Sequence, residues 1–530
     1  MRCIECEEIE LARVRDRRAG QTLPIPYEAL DGFPAGRSPA HLTRRRLMQW
    51  GVAGVASVYG AHELGWDAVW ESVAQAADEP EQNSLVLLYL AGGNDGLNIV
   101  MPNGNGDELA SANYAAYSNA RKDIGRGVGP SVAGGKVGSW ALPGQGDARR
   151  LAFTNAAIST AGGGDNGDAA YGFDSLYGDG MGGAGANLAV LPAVDALRYS
   201  LSHFDNADIW FEASYDLNNK TGWLGRWIDE YGKPDNPLQA ISIDTALSKS
   251  IRTSVNPVCA ISGLPVNGFK LSGSSSGGSG TTDLNAAMNT LAGVAAGAGN
   301  TYLDRSRKTY GLAYSTASQV NAYGTLPPNT AGYPNTNTLS TRLRTAAYLL
   351  KSLPGTRIIT IHWGGFDTHT LQLKNQDAQF KELSRALGAF QKDLQTLSID
   401  HRVATLAFSE FGRRVKETPN TTATANDAGT DHGAGGLMFA MGSRVKGGLA
   451  SEWPGCRPSD LVPSSQTTEP NAQGNLKVMT DFRSVYQSVI REWLGDPRGI
   501  APALLGHTAA DPVRELVRGD GLTGATTLFK

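Results

Sequence analysis

Four cysteines in 530 residues, Cys3, Cys6, Cys259 and Cys456, are too few to staple a chain of this size, which excludes a disulfide-built scaffold. Neither sign of charge is in surplus: 47 Lys and Arg against 51 Asp and Glu leave a formal net charge of -4. No block of basic residues follows the first fifty positions, so the footprint of a nucleic-acid binder is missing. The apolar segment Trp50 to Ala61 falls short of the roughly 20 residues a membrane span needs, and no second candidate span or internal repeat appears. Histidine is scarce as well, with eight in the chain, so each one that falls beside a strand end carries weight.

What the chain does have begins with an address. The run Thr43 to Gln49 (TRRRLMQ) precedes that short apolar segment, and Ala74-Gln75-Ala76 offers a small-residue cleavage site. The arrangement resembles a twin-arginine export signal behind a long polar leader, spanning residues 1–76. The expected mature protein is then a single large domain over residues 77–530, working in the periplasm or outside the cell, with no transmembrane span. Twin-arginine export machinery is its expected partner, and that route implies folding before export. Cys3 and Cys6 would leave with the signal, so Cys259 and Cys456 remain as the one pair that an oxidising compartment could join.

The strongest organisation lies between Arg357 and Gly448. An apolar strand (Arg357 to Trp363) ends in the polar turn Gly364 to His369, and a helix follows with Phe380, Leu383, Leu387, Phe390, Leu394 and Leu397 at spacings of three and four. A second apolar strand, Arg402 to Phe408, runs into Ser409-Glu410-Phe411-Gly412-Arg413; Thr430-Asp431-His432-Gly433 then precedes the apolar run Leu437 to Met441. Strand, helix, strand in this order is a βαβ crossover, hence parallel strands with helices on the sheet faces. Upstream, Ser84 to Leu90 reads as a strand buried on both faces and ends in Ala91-Gly92-Gly93-Asn94-Asp95. Leu188 to Val194 reads as another strand, after which Ser202, with Asp205 three residues on, caps a helix. Further helices are expected over Gly222 to Tyr231, from Leu339 to Leu350, and after Asp481. The Gly- and Asp-rich stretch 103–185 reads as a surface excursion, and about 265–335 as a second insertion. Gly273 to Gly277 matches a nucleophile elbow in letters only, since neither flank has a strand or helix period.

Ligands of open α/β sheets bind outside the carboxyl ends of the strands. On that rule Asp95, Asp367, His369, Glu410, Asp431 and His432 are candidate metal ligands sharing one crevice. Such a mixed Asp/Glu/His set suits zinc, manganese or magnesium, as one or two ions. Ser202, at a helix start, is a cap and also a place where a nucleophile gains from free N–H groups.

Several motifs together resemble the exported DUF1501 family: Leu87 to Asn98, Ser202-His203-Phe204, Gly222 to Arg226, Gly364 to His369, Ser409 to Arg414, Gly429 to Gly433 and Val445 to Gly448. The resemblance runs over nearly all of the mature chain. That family is similar to the alkaline phosphatase and sulfatase superfamily, which implies an α/β fold with a large, mostly parallel sheet sandwiched between helices over a two-metal site. It also implies an exported hydrolase of small anionic phosphate or sulfate esters. Asp95 takes the superfamily's first ligand position and Ser202 the nucleophile's. His203, Arg413 and Lys446 join Ser202 as catalytic candidates. Two threadings of the later motifs follow. In the preferred one Ser409-Glu410-Phe411 stands where an Asp-His pair is expected and His432 is the late histidine, leaving one site of Asp367, His369 and His432 and an oxygen-only second site of Asp95, Ser202 and Glu410. In the other, Asp431 and His432 are the pair and His507 is the late histidine. The competing reading is a non-catalytic exported protein that keeps the scaffold for binding or assembly with an extracytoplasmic partner.

Overall fold

The computed structural model describes residues 57–59, 81–128, 139–143, 147, 150–158, 172–177, 188–216, 219–234, 236–263, 326–334, 338–418, 428–462, 474–518 and 527–530. Cys3, Cys6, the arginine run, the Ala74 to Ala76 site and the Gly273 to Gly277 match lie outside them.

Ten strands build the central sheet. They are β1 (Ser57–Tyr59), β2 (Ser84–Ala91), β6 (Leu188–Asp195), β7 (Ala240–Ile243), β8 (Val258–Ile261), β9 (Ile358–Gly364), β10 (Val403–Phe408), β13 (Gly436–Met441), β14 (Gly448–Leu449) and β15 (Thr480–Asp481), in the spatial order β1-β8-β7-β9-β2-β10-β13-β6-β14 with β15 also on β6. A small antiparallel sheet joins β3 (Val100–Pro102), β4 (Ser139–Ala141) and β5 (Leu151–Thr154), and β11 (Gly412–Arg413) pairs with β12 (His432–Gly433). The main helices are α1 (Glu108–Ala120), α2 (His203–Glu212), α3 (Trp223–Tyr231), α4 (Thr338–Ser352), α5 (Gln372–Thr396) and α6 (Phe482–Ser488). The result is a mixed α/β fold around a large, mostly parallel sheet. Among the described residues no helix is long and apolar enough to cross a membrane.

The sheet is apolar on both sides because successive side chains of a strand point to opposite faces. In β2, Leu85 and Leu87 enter one core while Val86, Leu88 and Leu90 enter the other. The first core also takes Trp210, Trp223 and Tyr486 from α2, α3 and α6. The second takes the expected stripe of α5, from Phe380 to Leu394, and Leu343 and Leu350 of α4. The βαβ crossover is present, with β2 inserted between its two strands: β9 and β10 both pair with β2 in parallel.

Three features depart from the sequence reading. The described parts of the 103–185 stretch are not mere surface, since Tyr117, Phe153 and Phe173 are fully buried in the second core; a four-residue strand is too short for periodicity to reveal. β13 runs antiparallel between β10 and β6, a reversal that its uniformly apolar residues do not signal. Cys259 and Cys456 are both free and buried, and Cys456 donates its thiol to the Asn113 carbonyl at 3.1 Å, so no bridge joins them. Burial pushes both thiols up to about 12. In addition, Ser57–Tyr59, inside the segment read as an export signal, is an edge strand on β8.

Trp223 lies flat on Tyr486, with centroids 4.0 Å apart and planes at 12°, and is fully buried. Trp223→Ala is expected to cost about 3–5 kcal/mol, as large aromatic truncations in cores do. A lower urea midpoint at unchanged slope would show it.

Candidate metal centre

The register of the sheet brings the polar turns level. Ala91 is opposite Gly364 and Tyr89 opposite Phe408, so the turns after β2, β9 and β10 leave the sheet at nearly the same height. Because β13 is antiparallel, its start, not its end, lies at this edge, and Gly436 faces Val194 near the end of β6. His432 therefore arrives from the opposite chain direction, while the segment after β6 leads into α2 at Leu201 to His203. Gly92 and Gly429 permit the close approach. A Cβ at Gly92, where φ is +118°, would stand 2.4 Å from the Asp367 nitrogen, and one at Gly429 would stand 2.2 Å from the His369 carbonyl carbon.

These turns converge on Asp367. Its Oδ1 lies 3.0 Å from His369 Nε2 and 3.3 Å from His432 Nε2, and its Oδ2 lies 3.4 Å from His203 Nε2. His203, Asp367 and His432 offer ligand atoms that all lie within 4.8 Å of one another, and His369 adjoins them with its Nε2 3.1 Å from that of His432. Donors around a tetrahedral zinc, at bonds of about 2.0–2.1 Å, sit roughly 3.3 Å apart, so these spacings fit one small cation.

Each imidazole is held from behind. His203 Nδ1 is 2.6 Å from Glu410 Oε1, His369 Nδ1 is 3.3 Å from Asp431 Oδ1, and His432 Nδ1 is 2.7 Å from the Leu201 carbonyl. An oxygen acceptor at Nδ1 holds one ring proton, so that an Nε2 which gave up its own proton would turn a lone pair to the common centre, the arrangement typical of metal-ligating histidines. His203 Nε2 is buried and faces Asp367 Oδ2 at 3.4 Å, on the side where a cation would lie. Phe411, fully buried, packs its ring 4.9 Å from that of His203 and 4.3 Å from that of His432, an apolar wall behind two ligands.

On the chain's own charges, the electrostatics are those of charge pairs gathered around Asp367. Burial opposes ionisation of Asp367, yet hydrogen bonds from His203, His369 and His432 and the Arg413 charge hold its carboxyl far below the usual range. Burial works against protonation of His203, but Asp367 and Glu410 raise it to about 9, and Asp367 and Asp431 raise His369 to about 9. His432 is lowered, by burial first and then by the charges of Arg413 and His203.

Several residues expected at the centre have other work. Asp95 is fully buried in an ion pair with Arg121 at 2.6 Å and also accepts from Gln372 and the Leu97 N–H, so both its oxygens are committed. Glu410 is not a ligand but the orienter of His203, and it accepts the Gly92 N–H at 2.9 Å. Asp431 orients His369 in the same way. Arg413 is no substrate cation: its guanidinium donates to the carbonyls of Gly92, Gly93, Phe366 and Thr430 and, at 2.8 Å, to Asp367. Lys446 lies at the far edge of the sheet, since it follows the end of antiparallel β13 and precedes Gly448, which faces Ala189 near the start of β6; its ammonium donates to Thr527. His507 accepts the Val513 N–H at 3.1 Å and is exposed, away from the cluster. Ser202 is the N-cap of α2, accepting the Asp205 N–H at 3.5 Å. His203, expected as a catalytic side chain, brings a further imidazole to Asp367. Its signal was its place just after a cap on the helix entered from β6.

The family model described as "Protein of unknown function (DUF1501)" matches residues 270–495. That match bears out the DUF1501 resemblance. The DUF1501 segment holds Asp367, His369, Glu410, Asp431 and His432, whereas His203 precedes it. No curated protein matches the chain. Among solved structures, the "Structure of alkaline phosphatase from the Antarctic bacterium TAB5" is 10% identical and covers 68% of this chain and 92% of its own, at a TM-score of 0.26, an overlap too loose to bear on function.

Two outcomes separate ligands from scaffold. His203→Ala and His432→Ala are expected to lose the bound divalent ion, and Glu410→Gln to weaken it about 10–100-fold, read by elemental analysis and titration. Asp95→Ala strands the buried Arg121 guanidinium and is expected to cost about 3–5 kcal/mol of stability, yet to keep its ion in the folded fraction. In metal-stripped protein, the stabilisation from His203 and His369 is complete below their ordinary value of about 6.5 and is lost as pH rises through about 9. Its melting temperature should therefore fall across that window while ion affinity rises, because only neutral imidazoles bind. A flat or rising melting temperature would contradict the assignment.

Proposed function

We propose that the chain is an exported hydrolase of phosphate or sulfate esters that uses one divalent ion, held by His203, Asp367, His369 and His432, with Ser202 as the attacking group. The observation that supports it is the meeting of three fixed imidazoles and one carboxylate at the start of the helix that Ser202 caps. The twin-arginine-type leader places the work outside the cytoplasm, and the order of the turns along the chain follows that of the alkaline phosphatase and sulfatase superfamily. Phe411 stands where that superfamily has a second nitrogen donor, and Asp95 is engaged by Arg121, so the reading is a one-ion centre of zinc, manganese or magnesium type.

When bound, the cation supplies Lewis acidity toward the ester oxygens and lowers the pKa of a hydroxyl beside it. The chain does the rest. The first turn of α2 favours the negative charge of a bound ester and of a developing alkoxide. Among the described residues Ser202 Oγ accepts one long hydrogen bond, from the Asp205 N–H at 3.5 Å, which a rotation about its Cα–Cβ bond would release. Its oxygen attacks phosphorus or sulfur, the bond to the alcohol oxygen breaks, and the departing alcohol takes up the serine proton. Water then releases the inorganic anion and restores the hydroxyl. Throughout, Glu410, Asp431 and the Leu201 carbonyl keep the imidazole rings in place.

Ion-loaded protein assayed on phenyl phosphate and phenyl sulfate should turn over one of them. Ser202→Ala should lower kcat at least about 10³-fold with its ion content intact. Loaded protein inert toward both esters would instead support the non-catalytic reading, and full activity in Ser202→Ala would remove the serine from the mechanism.

A further inference from the structure

Toward the same edge of the sheet as the centre, on the α2 face, lies a cavity of about 200 Å³ lined by Tyr89 and His362 near the ends of β2 and β9. Its walls include Leu87, Tyr89, Phe211, Leu247 and Ile361. Tyr89 belongs to both places: its ring lines the cavity, and its hydroxyl is held well above its ordinary value by burial and then by the charge of Glu410, the carboxylate that holds His203. Phe211, two turns along α2 from His203, forms the outer wall and meets Tyr89 edge to face at 4.8 Å.

The polar groups around this space are already paired. Ser242 and Thr360 share a hydrogen bond of 2.6 Å, and Ser242 also accepts the Ser248 N–H at 2.8 Å. The Lys249 ammonium is held by Asp208, and Asp244 is shared between Arg342 at 3.2 Å and His362 at 3.5 Å. A charged or strongly hydrogen-bonding ligand would have to break these pairs, whereas an apolar one need not. A dry cavity of roughly 150 Å³ accepts a benzene ring, so this one has room for a ring of that size.

We infer that this cavity is the subsite for the alcohol portion of the ester, and that it selects a neutral, apolar group the size of one aromatic ring. The inference rests on the hydrolase reading for its purpose, but not for its ligand chemistry. Ala246, exposed on the rim, allows a test that leaves the centre alone: Ala246→Trp narrows the mouth, and Leu247→Phe does so from within should the first variant fold poorly. Benzyl and methyl esters of whichever anion the wild type hydrolyses are compared, and benzyl alcohol binding is followed separately by ligand-observed NMR. The expected result is a drop of about tenfold or more in kcat/KM for the benzyl ester with the methyl ester unchanged, and loss of benzyl alcohol binding. Equal effects on both esters, or none on either, overturn the subsite while leaving the hydrolase standing. Benzyl alcohol bound by wild type and not by the variants, in protein that hydrolyses nothing, keeps the cavity's selectivity and removes the hydrolase. Absence of benzyl alcohol binding to the wild type overturns the inference outright.

Discussion

The Arg413 guanidinium is the interaction on which the centre depends. Fully buried, it spans the turn after β2, the turn after β9 and the strand leading to His432, donating to a carbonyl in each and to Asp367 itself. Three segments distant in sequence are thereby pinned to one planar group whose five donors have fixed directions. A lysine, with one rotating ammonium, has no means of reaching them together. The guanidinium charge adds to the hydrogen bonds of His203, His369 and His432 in holding Asp367 ionised against burial, so the same side chain contributes to both the shape and the charge of the site.

Around this clamp the structure separates residues that touch the common centre from residues that aim them. The ligand set is small, while the aiming set is drawn from every element that ends nearby: Glu410 from β10, Asp431 ahead of β12, and a main-chain carbonyl ahead of α2. Glu410 is itself fixed by the Gly92 N–H, and Asn206 of α2 donates to its main-chain carbonyl. Each imidazole thus has one permitted orientation and little freedom to lose when an ion binds.

Much of this could be read from the chain. The apolar strands, the crossover and the long amphipathic helix follow from hydrophobic period, and the polar turns follow from the strands. The rule about carboxyl ends places Asp367 and His369 at this edge, whereas His432 precedes a strand and reaches it because β13 is antiparallel. The roles did not follow so easily. Asp95 looks like a ligand until Arg121 is seen beside it, and Arg413 looks like an anion receptor until its carbonyl partners are counted; pairing between segments so far apart leaves no trace in local pattern. The chain alone gives His203 no single task, because a histidine at a helix start serves equally as ligand or as acid. Lys446 was misplaced because the direction of β13 cannot be inferred from residues that are apolar throughout.

The donors are scattered from His203 to His432 and meet only when β6, β9, β10 and β13 have all taken their places. A cation held by this cluster would bind the folded chain in preference to the unfolded one, and so would add to the stability of the fold. Which ion such a site takes would then depend on the pool present where folding finishes.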